Sequence, residues 1–352
     1  MVTNQILKGT MFSIALSMLL IFSNGCNSES SKDAIIPKGS ENITLEMVEK
    51  APEAKNYSLK SFYYKPTVNE KTSYKVTQIN SIKRDNLTLQ QTITHFYTKT
   101  VRSVKPDGTV EIAVKIDSLM VDEKGPDPSK PGNTISLKYN SNDSVSKKNP
   151  EFVQYNSIVG AEVMATVSKF GKVEEVLGLN SIVNQMLGSK KDSVPAQVKE
   201  QLIQQVKAQF FQMPIQQEYQ TYPDNGKMNS SKSWTKVDVI PMSGILTVTN
   251  TVTYQMGAIK EVNGRKVAII QAKLTAETKI PEKMPKGIEF SLESSTFEGT
   301  GTTIVDVETG ATLMKNNDVL TKLKATVKDL AAKKTQPIDQ EIQTTVTVAI
   351  IR

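Results

Sequence analysis

Apolar and polar residues alternate along most of this chain, and the alternation predicts strands. Val110, Ile112, Val114 and Ile116 face one way while Glu111, Lys115 and Asp117 face the other, which is the period of a half-buried strand. Asp107-Gly108 just before it joins it to the preceding run, Leu87–Val104, as a hairpin. Ser73–Ile79, Ile135–Tyr139 and Glu162–Phe170 with Lys172–Val176 read the same way. In the second half Ile245–Tyr254 is rich in β-branched residues, and Asn263-Gly264 turns it into Ala268–Thr278. Glu289–Phe297 and Thr302–Val307 are expected as separate strands, with Thr309-Gly310 turning into Ala311–Met314. Residues 319–330 fit both periods. The alternation of Leu323, Ala325 and Val327 with lysines and threonine favours a strand paired with Thr344–Ile351. The segment 123–133, with three prolines and two glycines, and the polar segment 140–150 read as loops.

One stretch breaks the pattern. Asn180 can cap a short helix closed by Gly188, and Ser193 can cap a second with Pro195 in its first turn. Val198, Leu202, Val206 and Phe210 then recur every four residues as an apolar stripe expected to pack on a core. The expected fold is therefore β-dominated α+β: antiparallel curved sheet or sheets with a small helical insertion near 178–212. The Asp-Gly and Asn-Gly hairpins, and the strand–Gly–strand units around Gly171 and Gly310, echo each other. They suggest two similar sheets or two halves of one larger sheet. The organisation that follows is a first β-rich half over 57–177, a helical insertion over 178–222 and a second β-rich half over 223–352.

The N-terminus carries a different signal. Lys8 precedes a mostly apolar run, Met11–Phe22, followed by Ser23-Asn24-Gly25-Cys26. This is the layout of an export signal over 1–25, and the run is too short for the ~20 residues that span a bilayer. The thiol after small residues marks a lipoprotein. Cys26, the sole cysteine, is expected to be acylated and to anchor the chain through several acyl chains. Residues 26–56 then read as a polar tether, with a short helical turn near Leu45–Val48. Acidic residues after such a cysteine resemble a surface-export signal. Glu29 stands alone beside Lys32, so the periplasmic face of the outer membrane is preferred over the cell surface.

Loss of the signal leaves 327 residues with a net charge of +6. The charges alternate in sign without basic blocks, which argues against a nucleic-acid partner. With Cys26 acylated and one histidine, His95, a disulfide or transition-metal site is not expected, and no cofactor is implied. His95 lies within a strand and reads as a strand-face residue. Glu174-Glu175 would point to opposite faces. Asp122, Glu123 and Asp127 lack calcium-loop spacing. Asp306 and Glu308 share a strand face and are the least poor carboxylate pair for a hydrolase, provided a cleft gathers them.

The Tyr-rich start (Tyr57, Phe62, Tyr63, Tyr64, Tyr74), the Asp-Gly hairpin, Tyr222-Pro223-Asp224, Gly226-Lys227 and Ser233-Trp234 together resemble an uncharacterised Bacteroidota lipoprotein family with no activity to transfer. The resemblance covers most of 57–351. The curved-sheet-plus-helix plan is also similar to periplasmic lipoprotein carriers of the LolA type, by architecture alone. The aromatic clusters either plug the ends of a sheet core or line a groove. The expectation is a non-enzymatic outer-membrane module that binds an apolar ligand or an envelope protein near the helical block. A carboxylate-dependent hydrolase and a structural spacer are the alternatives.

Overall fold

The computed structural model describes residues 43–351 apart from 56, 58, 85–86, 128–132, 243–245, 281–286 and 331–332. The export signal, Cys26 and most of the tether lie outside the described residues. Twelve strands form one antiparallel sheet. They are β1 (Lys71–Arg84), β2 (Leu87–Val104), β3 (Val110–Pro126), β4 (Thr134–Asn140), β5 (Glu162–Val167), β6 (Val173–Leu177), β7 (Ser233–Met242), β8 (Leu246–Val262), β9 (Arg265–Lys279), β10 (Ile288–Asp306), β11 (Thr312–Asp329) and β12 (Lys334–Ile350). Their order is β6-β5-β3-β2-β1-β12-β11-β10-β9-β8-β7, with β4 beside the C-terminal end of β3.

The two sequence halves are thus halves of one curved sheet. The seam is the β1–β12 pair, in register from Tyr74↔Ile350 to Arg84↔Gln340. It brings the first and last of the described strands together, so β-pairing is continuous across residues that local alternation could not link.

The strands run longer than expected. β3 continues through Pro126 into the segment read as a loop, because β4 pairs with it as far as Pro126↔Thr134. β10 is one strand through Gly299 and Gly301, where two strands were expected. Residues 319–330 lie mostly in β11, as the alternation favoured. Within the polar segment 140–150, Asp143 caps a short helix, α1 (Ser144–Lys148), accepting from the Val145 and Ser146 amides.

The ordered body begins before Tyr57. A helical turn at Leu45–Lys50 is capped by Thr44, and its fully buried Val48 packs against Val262, Val267, Ile304 and Leu313. The insertion holds α2 (Leu179–Leu187), α3 (Ala196–Val206), a π-helical turn (Lys207–Gln212) and α4 (Met213–Tyr219). The N-caps differ from expectation. Gly178, in the left-handed region, precedes α2, and Pro195 precedes α3. The π turn has a local cause. Pro214 has no N–H for the Phe210 carbonyl and its ring crowds that carbonyl, which a widened turn relieves; within it Met213 N–H bonds Ala208 O. The helical block therefore extends to Tyr219, and its buried weight lies in Phe210, Phe211, Ile215 and Tyr219, whereas Val198 at the head of the expected stripe is exposed. These side chains join the main core on the sheet's inner face, together with Phe62, Tyr64, Tyr97 and Tyr222.

Candidate functional site

Helix α4 lies across the inner face and is fastened to strands from both halves. Toward the first half, Gln216 Oε1 accepts from Val173 N–H at 3.1 Å and its Nε2 donates to Gly171 O at 3.0 Å. At the centre Lys99, on β2, meets Glu218, on α4; their side chains are 2% and 1% exposed. Glu218 also accepts from Tyr97 Oη, and Lys99 Nζ donates to Tyr219 Oη at 2.9 Å. The rings of Tyr64, Tyr74 and Tyr219 lie 5.0, 4.9 and 4.9 Å from the same ammonium, within cation–π range. Burial pulls the Lys99 pKa down. The Glu218 charge, helped by Tyr64 and by the Glu218 hydrogen bond, outweighs burial, and the net shift is upward.

A second buried lysine, Lys315 on β11, sits on the second half and is also 2% exposed. It donates to Gln217 O at 3.0 Å, Gln217 Oε1 at 3.2 Å and Gln220 Oε1 at 2.7 Å. With the Asn317 amide assigned so that its oxygen faces the lysine, a further acceptor stands at 3.1 Å. All of these are neutral oxygens. Among the described residues no carboxylate pairs with Lys315. Burial, with a smaller push from the positive charge of Lys236, brings its pKa down to about 7.

Beside Lys315 the inner face is hollow. Two neighbouring rows of the sheet cross here, Tyr254↔Ala272↔Gly301↔Asn317 and Val252↔Leu274↔Gly299↔Val319. Ala272, Gly299 and Gly301 bring little or no side chain to the inner face, and a small groove is left there. Val252, Leu274, Val319 and Tyr254 wall it, with Trp234 stacked behind Tyr254 at 5.4 Å. Lys315, Asn317 and Thr221 form its polar end. A Cβ on Gly299 would come within 2.5 Å of Asp318 O and Val319 Cγ2, so the glycine also lets β10 and β11 approach. Thr221 is 1% exposed, and its Oγ1 has no partner among the described residues.

The residues singled out from the sequence fall elsewhere. His95 lies on β2 facing inward, its ring 6.1 Å from that of Phe210, and neither ring nitrogen has a partner among the described residues. Burial brings its pKa down to about 4. Asp306 ends β10, and Glu308 lies in the turn after it. Asp306 Oδ1 accepts from the Glu308 and Thr309 amides at 2.9 and 3.1 Å, and Glu308 pairs with Lys266 at 2.6 Å. They are not gathered in the groove. Glu174 and Glu175 are both exposed on β6. Asp122 pairs with Lys138 at 3.4 Å, and Glu123 accepts from Gln91 at 2.8 Å. Among the described residues no three His, Cys, Asp or Glu side chains gather as a metal site, and no helix is long and apolar enough to cross a membrane. The aromatic cluster plugs the core, with Phe62 on Tyr222 and Tyr64 on Tyr219, each at 5.0 Å. Lys99, Lys315, Glu218 and the two glycines were not singled out. Parity within the strands is the signal that could have found them. Lys99 shares its face with Tyr97 and Val101, and Lys315 shares its face with Asn317 and Val319.

Among solved structures the chain is similar to lipovitellin, described for its lipid–protein interactions, at a TM-score of 0.42 and 7% identity, covering 81% of this chain and 25% of that one. It is similar to OccK5 (OpdH) of Pseudomonas aeruginosa at a TM-score of 0.19 and 9% identity, covering 80% and 98% of the two chains. DynF from the dynemicin biosynthesis pathway of Micromonospora chersina matches at 0.15 and 7%, covering 89% and 92%. At these scores the likenesses say nothing about function. No curated protein matches the chain. The family model of DUF6263, a family of unknown function, matches residues 107–312, from the β2–β3 hairpin through the helical block to the first residue of β11, and the chain belongs to that family.

Proposed function

We propose that this protein is a non-enzymatic binding module, anchored to the outer membrane through acylated Cys26 and facing the periplasm, that holds an apolar ligand on the inner face of its sheet. The observation that carries this reading is the groove at Ala272, Gly299 and Gly301. Its walls are apolar, its floor lacks side chains at positions where strands normally fill a core, and it keeps one polar end. Concave, mostly apolar sites with a few convergent polar groups are the usual form of a small-molecule site. The engagement of Asp306 and Glu308 in their own turn supports a non-enzymatic role over carboxylate hydrolysis.

Native mass spectrometry of the protein purified from its own envelope tests the ligand. An adduct that disappears in Gly301→Leu is expected, and a clean apo mass would overturn the reading. Fractionation of Cys26→Ser tests the anchor, with release from the membrane fraction expected.

One feature favours an envelope protein as a second occupant. Among the described residues edge strand β7 pairs only with β8, and it carries exposed Val237 and Val239, at 58% and 63%. An edge of this kind can accept a strand from a partner. Loss of a crosslinked partner in Val237→Lys would support it.

A further inference from the structure

We propose that the groove is specific for a single-chain amphiphile with a carboxylate head, the head seated at Lys315, Thr221 and Asn317 and the chain laid over Ala272, Gly299 and Gly301. This deepens the apolar-ligand reading and rests on it. Three observations converge on the head position. Lys315 is a buried amine at the end of the groove with only neutral oxygens around it. A buried cation without a counter-charge is costly, and an incoming anion would supply what the fold leaves out. Thr221 lines the same end, and its buried Oγ1 has no hydrogen-bond partner among the described residues. The cation near it, Lys236, is already paired with Asp224 at 3.2 Å, so the one positive charge without a counter-charge that the head region can carry is that of Lys315. One such charge matches a carboxylate. A phosphate monoester carries more negative charge and wants more donors than this end provides. The walls beyond the head are mostly apolar, with Val252, Leu274 and Val319 among them, which suits a hydrocarbon chain.

Titration calorimetry of the purified full chain with decanoate, methyl decanoate and decyl phosphate tests this. Decanoate should bind roughly tenfold or more tighter than the ester. Lys315→Met should remove that preference by weakening decanoate while leaving the ester within roughly twofold. Thr221→Val disrupts no hydrogen bond of the fold and should weaken decanoate roughly threefold without touching the ester, which keeps the test alive if Lys315→Met does not fold. Gly301→Leu should abolish both. Equal binding of acid and ester would overturn the carboxylate head while leaving the apolar groove standing. Tighter binding of decyl phosphate than of decanoate would overturn the monoanion assignment in favour of a phosphate head. No binding of any probe would overturn the groove reading itself.

Discussion

Lys99 and Lys315 are both 2% exposed, both face the inner side of one sheet, and both are covered by the same short helix α4 and the residues after it. They are nonetheless opposite in kind. Lys99 has its own carboxylate, Glu218, and three aromatic rings around the ammonium. It behaves as a closed ion pair that fastens helix to sheet. Lys315 has amides and a carbonyl, a second lysine nearby, and a groove opening beside it. The fold thus balances charge at one lysine and leaves it unbalanced at the other. Burial alone explains neither. The difference lies in what the neighbouring residues of α4 contribute: Glu218 toward one half, Gln217 and Gln220 toward the other.

The largest effect should come from breaking the closed pair. Glu218→Ala strands Lys99 in an apolar, aromatic surrounding and should cost about 3–5 kcal/mol in urea unfolding. The double variant Lys99→Met with Glu218→Leu should recover most of that loss, because two apolar side chains need no counter-charge. A double variant as unstable as the single would show that the pair is not what holds α4.

The two lysines should also respond differently to pH. Lys315 has a folded pKa near 7 against 10.5 unfolded. Between those values the unfolded chain binds the extra proton, so stability rises with pH by roughly 1.4 kcal/mol per unit. From pH 7.5 to 9.5 the wild type should gain about 3 kcal/mol on Lys315→Met. Lys99 has its folded pKa above 10.5. Its contribution is complete below 10.5, flat across this window and lost only as pH rises through the folded value. Parallel denaturation series of Lys315→Met and the Lys99→Met, Glu218→Leu double variant separate the two, and equal slopes would erase the distinction.

His95 adds a third buried group on the same face, with neither a counter-ion nor a hydrogen-bond partner among the described residues. Its folded pKa near 4, against 6.5 unfolded, means that the unfolded chain takes up the proton first as pH falls. Stability should therefore drop between pH 6.5 and 4. Relative to His95→Leu, the wild type should lose about 2 kcal/mol between pH 6 and 4.5, read from paired melts. A partnered histidine would show no such difference.

Much of this architecture was legible from local pattern. The Asp107-Gly108 and Asn263-Gly264 hairpins form where the turn chemistry put them, with Gly108 and both Asn263 and Gly264 in the left-handed region. The alternation at 319–328 correctly favoured a strand. The β1–β12 seam was not legible, because it joins residues more than 250 positions apart and period two says nothing about which strand lies alongside. Gly299 and Gly301 read as a gap between strands because glycine weakens a strand locally; the neighbours on β9 and β11 keep them in the ladder. Lysines at 99 and 315 read as solvent-facing by type, although parity placed them inside.

The smallest effect tests the unbalanced end most directly. Two hydroxyls touch the two lysine regions, and they should not be equivalent. Tyr97 Oη donates to the buried Glu218 carboxylate. Tyr97→Phe removes a hydrogen bond to a charged group and should cost about 1.5–3 kcal/mol. Thr221 Oγ1 has no partner among the described residues. Thr221→Val keeps the side-chain shape and removes a buried polar atom that bonds nothing, so in ligand-free protein it should be neutral or slightly stabilising, within about 0.5 kcal/mol. A loss for Thr221→Val as large as that for Tyr97→Phe would mean that Thr221 already has a partner in the free protein. In that case the Lys315 end would be a satisfied network like its counterpart, with no donor held in reserve for a ligand.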